Sequence, residues 1–142
     1  MTDKSYFVKN AISPNFIADQ IAKHNSRHNI GGHSIFLGQV RADETDGKKV
    51  ESIEYSAYEE MANKEISKIR EAAFSKRSLT CLHIYHSLGQ VKAGEISLFI
   101  FVSAEHRKQA IAAMTELVED VKFKVPIWKK EIFQDKTEKW VE

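Results

Sequence analysis

Ile96-Ser97-Leu98-Phe99-Ile100-Phe101-Val102 is the most constraining stretch of this chain: seven residues, one of them polar. Residues 95–102 are too apolar for a solvent-facing segment and read as a central strand. A helical pattern follows at once, with Ile111, Met114, Leu117, Val118 and Val121 recurring at its spacing. Ser103 is expected to cap that helix, with Glu105 in its first turn complementing the dipole. Pro126 cannot sit inside it, so the helix ends near Lys124. A short strand, Ile127 to Phe133, and a last one at Trp140-Val141 complete this half of the chain.

The first half reads less sharply. Residues 5–9 alternate weakly as a strand. Ser13-Pro14 opens a helix, with serine as cap and proline at its first position. Phe16, Ile17 and Ile21 form its expected apolar face, and Gly31-Gly32 ends the unit. Residues 33–41 read as a strand holding Gly38, and a glycine there marks a bulge or a close backbone approach. A polar loop, Ala42 to Lys49, contains Asp46-Gly47. Residues 50–57 read as a strand, 58–74 as a helix carrying Met61, Ile66, Ile69 and Phe74, and 79–86 as a strand. Strands and helices alternate only in part. The expected fold class is therefore α+β, with a mixed, largely antiparallel sheet and packed helices.

The 142 residues fit one domain spanning 1–142, with no linker or repeat inside it. Apolar residues make up 42% and charged residues 29%, an ordinary globular composition. A net charge of +1 argues against a protein built to coat nucleic acid. No stretch approaches the ~20 apolar residues of a membrane span. Met1-Thr2-Asp3-Lys4-Ser5 has no apolar signal-peptide core behind it. The one cysteine, Cys81, rules out an internal disulfide and fits a reducing compartment, so a cytoplasmic location is expected.

Candidate chemistry concentrates near the C-terminus. Four lysines (Lys122, Lys124, Lys129 and Lys130) fall in the nine residues 122–130 with no acid among them. Beside Phe123, Pro126 and Trp128 they cannot all be well solvated. Such crowding lowers an ammonium pKa and suits a lysine to proton transfer near neutral pH. The run reads either as a shaped anion site or as a solvated basic strand. His106 and Arg107 stand at the other end of the last helix. Fifteen residues separate Arg107 from Lys122, or roughly 22 Å of helix. One small molecule cannot touch both ends, so the two clusters either serve two sites, meet across a subunit interface, or are plain surface residues at the helix start. Arg41, at a strand end, suits bidentate binding of phosphate or carboxylate, or is an ordinary terminal arginine.

His24, His28 and His33 surround a glycine-rich turn with no Cys or carboxylate partner at a metal-ligand spacing, so no metal is expected. His83 and His86 should point to opposite faces of one strand. Cys81 reads as a core residue, since no activating group adjoins it. There is no phosphate-binding glycine loop and no dinucleotide fingerprint, and no cofactor is expected.

Several segments together resemble the large (catalytic) subunit family of molybdopterin synthase. They are Phe36-Leu37-Gly38-Gln39-Val40-Arg41, Tyr85-His86-Ser87-Leu88-Gly89 with Gly94-Glu95, Ser103-Ala104-Glu105-His106-Arg107, Lys122 with Pro126-Ile127-Trp128-Lys129-Lys130-Glu131, and Trp140-Val141-Glu142. The resemblance covers roughly residues 30 to 142, and its order and spacing are specific. It implies an α/β hammerhead-like fold. It also implies a sulfurtransferase of molybdenum-cofactor biosynthesis, converting cyclic pyranopterin monophosphate (precursor Z) into molybdopterin.

In such an enzyme the two sulfurs arrive as a thiocarboxylate on the C-terminal Gly-Gly of a small ubiquitin-like subunit. The implied assembly is a homodimer within a heterotetramer, with no nucleic acid and no membrane. Lys122 and Lys129 match the catalytic positions. Gln39, Val40, Arg41, His106, Arg107, Lys130 and Glu131, with the two lysines, match the substrate-binding segments, the His-Arg pair coming from the neighbouring subunit. Gln39 stands where a lysine is frequent and Ala42 where an asparagine is frequent. Asp43, Glu44 and Asp46 make the field of that loop less favourable to phosphate. No extension beyond Glu142 is expected. The alternative is a non-catalytic anion- or protein-binding module using the basic C-terminal segment.

Overall fold

A computed structural model describes residues 5–141. Met1–Lys4 and Glu142 lie outside the described residues. In chain order the elements are β1 (Phe7–Lys9), α1 (Pro14–Lys23), β2 (Gly32–Gln39), β3 (Glu44–Thr45), β4 (Lys48–Ala57), α2 (Glu59–Lys76), β5 (Cys81–Lys92), β6 (Ile96–Ala104), α3 (Arg107–Lys124), β7 (Ile127–Phe133) and β8 (Glu138–Val141). The strands run β2-β6-β5-β4-β7-β8, with β1 beside β5 and β3 beside β4. Among the described residues only the β1–β5 pairing is parallel, which bears out an α+β fold with a largely antiparallel sheet.

One strand holds both halves of this sheet. Residues 81–86 of β5 pair with β6, and residues 89–92 pair with β4. Between them Gly89 turns the chain at φ +91°, a conformation that side chains disfavour. A Cβ at Gly89 would also stand 2.7 Å from the Asn10 Oδ1. β1 hydrogen-bonds beside this passage, Phe7 opposite His86 and Lys9 opposite Leu88.

The central strand β6 is buried along most of its length. Ile100 and Val102 face α2 and α3, packing with Ala62, Ile66, Ile69, Ala113 and Leu117. Phe99 and Phe101 face the other way, against Ile12 and Ile17 of the α1 region. Helices therefore cover both faces of this half-sheet. Complete burial of a residue such as Leu117 or Phe101 stabilises the fold by roughly 1.5–3 kcal/mol each.

The expected helix faces hold at Ile17, Ile66, Ile69, Met114, Leu117 and Val121 and miss at single positions. In α1 the buried row is Ile17, Gln20 and His24, and Ile21 is exposed. In α2 it is Ala62, Ile66 and Ile69, leaving Met61 and Phe74 outside; Phe74 instead lies under the Arg70 guanidinium. In α3 the buried row is Ala110, Ala113, Met114, Leu117 and Val121, and Ile111 faces solvent. Alanines let the helices approach the sheet closely, so the small residue marks the core where periodicity favoured its larger neighbour.

Ser103 does not cap α3. It is fully buried inside β6, paired with His33 on one side and Cys81 on the other, and sheet pairing carries the strand on to Ala104. The cap position is His106, with no side-chain cap bond, and Glu105 lies before the helix. The chain packs tightly here: a Cβ on Gly31 would stand 2.0 Å from the Glu105 carbonyl oxygen. At the other α1 end the expected cap holds, with Phe16 N–H donating to the Ser13 Oγ at 3.1 Å. The polar loop 42–49 contains a small hairpin, β3 folding back on β4 around Asp46-Gly47.

His86 is buried at the junction of the half-sheets. Its Nδ1 donates to the Ser87 carbonyl at 2.8 Å, and its ring meets Tyr55 edge-on at 5.1 Å. Burial, with the nearby Lys129 cation adding to it, lowers its pKa from 6.5 to about 4, against the opposing Ser87 bond. Above pH 6.5 the imidazole is neutral in both folded and unfolded chains. Between pH 6.5 and 4 the unfolded chain takes up a proton that the folded chain refuses, so stability falls, by roughly 3 kcal/mol in all. Denaturant titrations at pH 7, 5.5 and 4.5 should show this fall, and His86→Gln should flatten it. An identical pH slope in the variant would remove His86 as its source.

Candidate functional site

Pro126 breaks the chain between α3 and β7, and only Val125 and Pro126 separate the two elements. The Ile127 N–H turns back to the Val125 carbonyl at 2.9 Å, and Val125 anchors the turn in the core. This tight reversal brings Lys122, on the last turn of α3, and Lys129, on β7, to one cavity. The cavity has a volume of about 240 Å³. Its walls are apolar, from Phe36, Leu98, Val118, Val121, Val125 and Ile127. Its polar groups come from Gln39, Tyr55, His86 and Ser97 besides the two lysines, and among the described residues no carboxylate lines it.

Both sheet halves contribute to it, β2 and β6 on one side and β4 and β7 on the other. Gly38 and Gln39 both line the cavity although neighbours in a regular strand face opposite ways. The β2–β6 register shifts between them, which is the bulge that Gly38 signalled. Tyr55 donates its hydroxyl to Ser97 Oγ at 3.1 Å, and burial raises its pKa, so it is a neutral phenol.

Lys129 is the tuned cation. Partial desolvation comes first, then the charges of Lys122 and Arg41, and together they hold its pKa below the ordinary lysine value; Glu131 opposes them. Arg41 is thus within electrostatic reach of the site, although its side chain is exposed and paired with Asp43 at 3.3 Å. The Lys122 ammonium lies over the Phe123 ring at 5.6 Å.

Other expected residues stand apart. Val40 is 2% exposed and packs with Tyr55 and Val91. Its N–H donates to Glu95 and its carbonyl accepts from Gly94, so it supports the site and does not face a ligand. Lys130 lies between Glu54 at 3.9 Å and Glu138 at 3.2 Å, over the Trp140 ring, and its charge is already satisfied. Alternation along β7 separates it from Lys129 and keeps Glu131 on the side of Lys129. Lys124 pairs with Asp120 at 3.2 Å. His106 and Arg107 are exposed at the start of α3, with His106 3.6 Å from Glu105, and do not line the cavity of their own chain.

Tyr55, His86 and Ser97 were missed as cavity residues. Their convergence depends on the pairing of Tyr55 with Gly89 across strands, and no local motif carries that. The separation of the histidines from any cysteine is likewise corrected by the fold, which brings Cys81 and His83 beside His24.

The MoaE protein family profile matches residues 9–124. The chain belongs to the MoaE family. A molybdopterin synthase catalytic subunit from Pyrococcus abyssi is 43% identical over 117 residues, 82% of this chain and 78% of that protein. One from Rattus norvegicus is 41% identical over 110 residues, 78% of this chain and 54% of that protein. The match to the Drosophila grimshawi catalytic subunit, 47% identical, covers 75% of this chain but only 30% of the fly protein. Among solved structures, molybdopterin synthase from Staphylococcus aureus superposes with a TM-score of 0.84 at 33% identity, covering 100% of this chain and 99% of that one. A complex of subunits 1 and 2 of the molybdopterin-converting factor from Helicobacter pylori, 22% identical with a TM-score of 0.81, shares the fold. Among the described residues of this MoaE-family chain, no helix is long and apolar enough to cross a membrane.

The charge arrangement gives a signed expectation. NMR titration of methyl-labelled lysines should find Lys129 titrating below the ordinary lysine value. Lys122→Gln should move it up, and Glu131→Gln should move it further down. A Lys129 titration unmoved by both substitutions would mean that its neighbours do not set its charge.

Proposed function

We infer that this chain works as the catalytic subunit of a molybdopterin synthase, in molybdenum-cofactor biosynthesis. The observation that carries the reading is the junction cavity, where Lys122 and a partly desolvated Lys129 meet between apolar walls. Its relatives' names support the assignment, and the cavity's chemistry supports a finer one. The reaction is sulfur transfer to precursor Z from the thiocarboxylate tail of a small ubiquitin-like subunit, in the cytoplasm. A narrow apolar cleft ending in ammonium groups suits an extended Gly-Gly tail, which has no side chains to exclude and ends in an anion.

Lys122 stabilises charge and transfers protons as the thiocarboxylate attacks. Lys129, with its lowered pKa, sits beside the tail's carbonyl and gives up its proton more readily than an ordinary lysine. Gln39 and Arg41 hold the substrate from the β2 end, with Glu131 tuning Lys129. Exposed Phe123 and Trp128, next in sequence to Lys122 and to Lys129, offer apolar surface to the partner.

The second substrate contact comes from a neighbouring copy. Arg107 and Lys122 lie at opposite ends of α3, roughly 22 Å apart. Edge strand β2 exposes Ile35 and Leu37, 38% and 42% accessible, as an apolar face for dimerisation. A two-fold dimer with one small subunit at each end is a heterotetramer with two composite sites.

Reconstitution with a thiocarboxylated small subunit and precursor Z tests the reading by its dithiolene product. Lys122→Ala should lower turnover about 10²–10⁴-fold with the partner complex intact. Lys129→Ala should impair turnover and tail or substrate engagement, and Lys124→Ala should matter least. A crippled Lys124→Ala beside a near-normal Lys122→Ala would overturn this site. Salt-sensitive binding to many polyanions without product would favour the non-catalytic module instead.

Subunit exchange tests the composite site. Lys122→Ala and Arg107→Ala proteins, each inactive alone, should regain activity when mixed, because one site of each mixed dimer is intact. No recovery after demonstrated exchange would put both residues in a site within one chain.

A further inference from the structure

The face of the sheet opposite the lysine cavity carries a second cluster. Cys81 opens β5, and His83 follows two residues later on the same face. Helix α1 lays His24 over them. One ligand atom from each of His24, Cys81 and His83 lies within 4.8 Å of the others. Their separation in sequence hid this set, because the fold and not a local motif assembles it.

The two imidazoles stand at a spacing that a shared metal ion would also use. The His24 Nδ1 is 2.7 Å from the Gln20 carbonyl, which can only accept, so Nδ1 carries the proton and Nε2 presents its lone pair. A backbone carbonyl holding the far nitrogen is how a metal-binding imidazole is usually fixed. The His24 Nε2 lies 3.2 Å from the His83 Nε2. A tetrahedral zinc ion with Zn–N of about 2.0–2.1 Å sets two ligand nitrogens roughly 3.3 Å apart, and a thiolate sulfur some 3.6 Å from each. The observed nitrogen separation matches that edge.

Cys81 and His24 are buried, and the phenyl ring of Phe101 floors the cluster, 4.8 Å from the His24 ring and 6.3 Å from that of His83. His33 stands at the exposed rim. Its ring is 6.3 Å from that of His24, and its Nδ1 meets the Ser103 Oγ at 2.7 Å.

We propose that His24, His83 and Cys81 form a binding site for a zinc-class divalent cation, which clips α1 to the sheet. The fourth coordination position opens toward His33. On binding, the Cys81 thiol releases its proton to solvent and the sulfur donates as thiolate, and the metal replaces the proton shared between the two imidazoles. The role is structural, and it holds independently of the synthase reading, since the cluster and the lysine cavity lie on opposite faces of β5.

The test uses the full chain, reduced and stripped of metal, titrated with Co²⁺ and then with Zn²⁺. One Co²⁺ per chain should bind, with thiolate-to-metal charge-transfer absorption, and Zn²⁺ should displace it and raise the Tm. Cys81→Ser should abolish that absorption. His24→Gln should weaken binding at least tenfold, whereas His28→Gln, an exposed histidine of the same segment, should leave it unchanged. Should His24→Gln fail to fold, the wild-type titration and Cys81→Ser decide. No stoichiometric uptake by the wild type, or charge-transfer absorption that persists in Cys81→Ser, would overturn the site. No activity assay enters, so its failure is distinguishable from failure of the synthase reading.

Discussion

A single strand joins two half-sheets, and the rest of the architecture follows from that. β5 gives residues 81–86 to β6 and residues 89–92 to β4, with Gly89 making the turn between them. Two half-sheets joined this way cannot lie flat against one another. The gap at their junction is where Phe36 and Leu98 of one half meet Tyr55 and Lys129 of the other, and the end of α3 roofs it. The cavity is thus a product of the sheet's geometry. Because β5 is shared by both halves, they should lose structure together, and amides along β5 should be among the last to exchange.

The cavity's electrostatics follow from its apolar walls and its crowded cations. Lys129 loses part of its hydration there, and Glu131 only opposes the resulting shift. The site resolves this by tuning: Lys129 holds its proton less tightly than an ordinary lysine, and His86 gives up its charge altogether. Two cations crowded this way repel each other, and the lowered pKa of Lys129 is the trace of it. Lys130, one residue along, shows the contrast. With Glu54 and Glu138 beside it, its charge is balanced.

The sequence made the elements legible where a residue's chemistry dictates local geometry. Ser13-Pro14 starts α1, Pro126 ends α3, and Gly38 marks the bulge, all within a residue or two of the expected place. The fold class was legible too, from the apolar run of β6 and the helix after it. What was not legible depended on partners far along the chain. Ser103 has the chemistry of a cap but is held in β6 by His33 and Cys81 on either side. Met61, Ile111 and Ile21 have the right period and the wrong phase, because alanine and even Gln20 or His24 fit the close helix–sheet gap. Lys122 and Lys129 were readable as site candidates, whereas Tyr55, Ser97 and His86 joined them only through strand register. Val40 and Lys130 lay in matching segments, yet one is core and the other is ion-paired.

The bulge between Gly38 and Gln39 bears on how such a site can change over evolutionary time. By placing two consecutive residues on one cavity wall, it separates the phase of the strand's end from the phase of its body. A one-residue deletion there would turn Gln39 outward and re-aim the chain leading to Arg41, while residues 32–37 kept their register with β6. The residues at this edge can therefore vary by insertion and deletion without a penalty to the sheet. No such freedom exists on the lysine side, where two residues connect α3 to β7 and every one of them is committed.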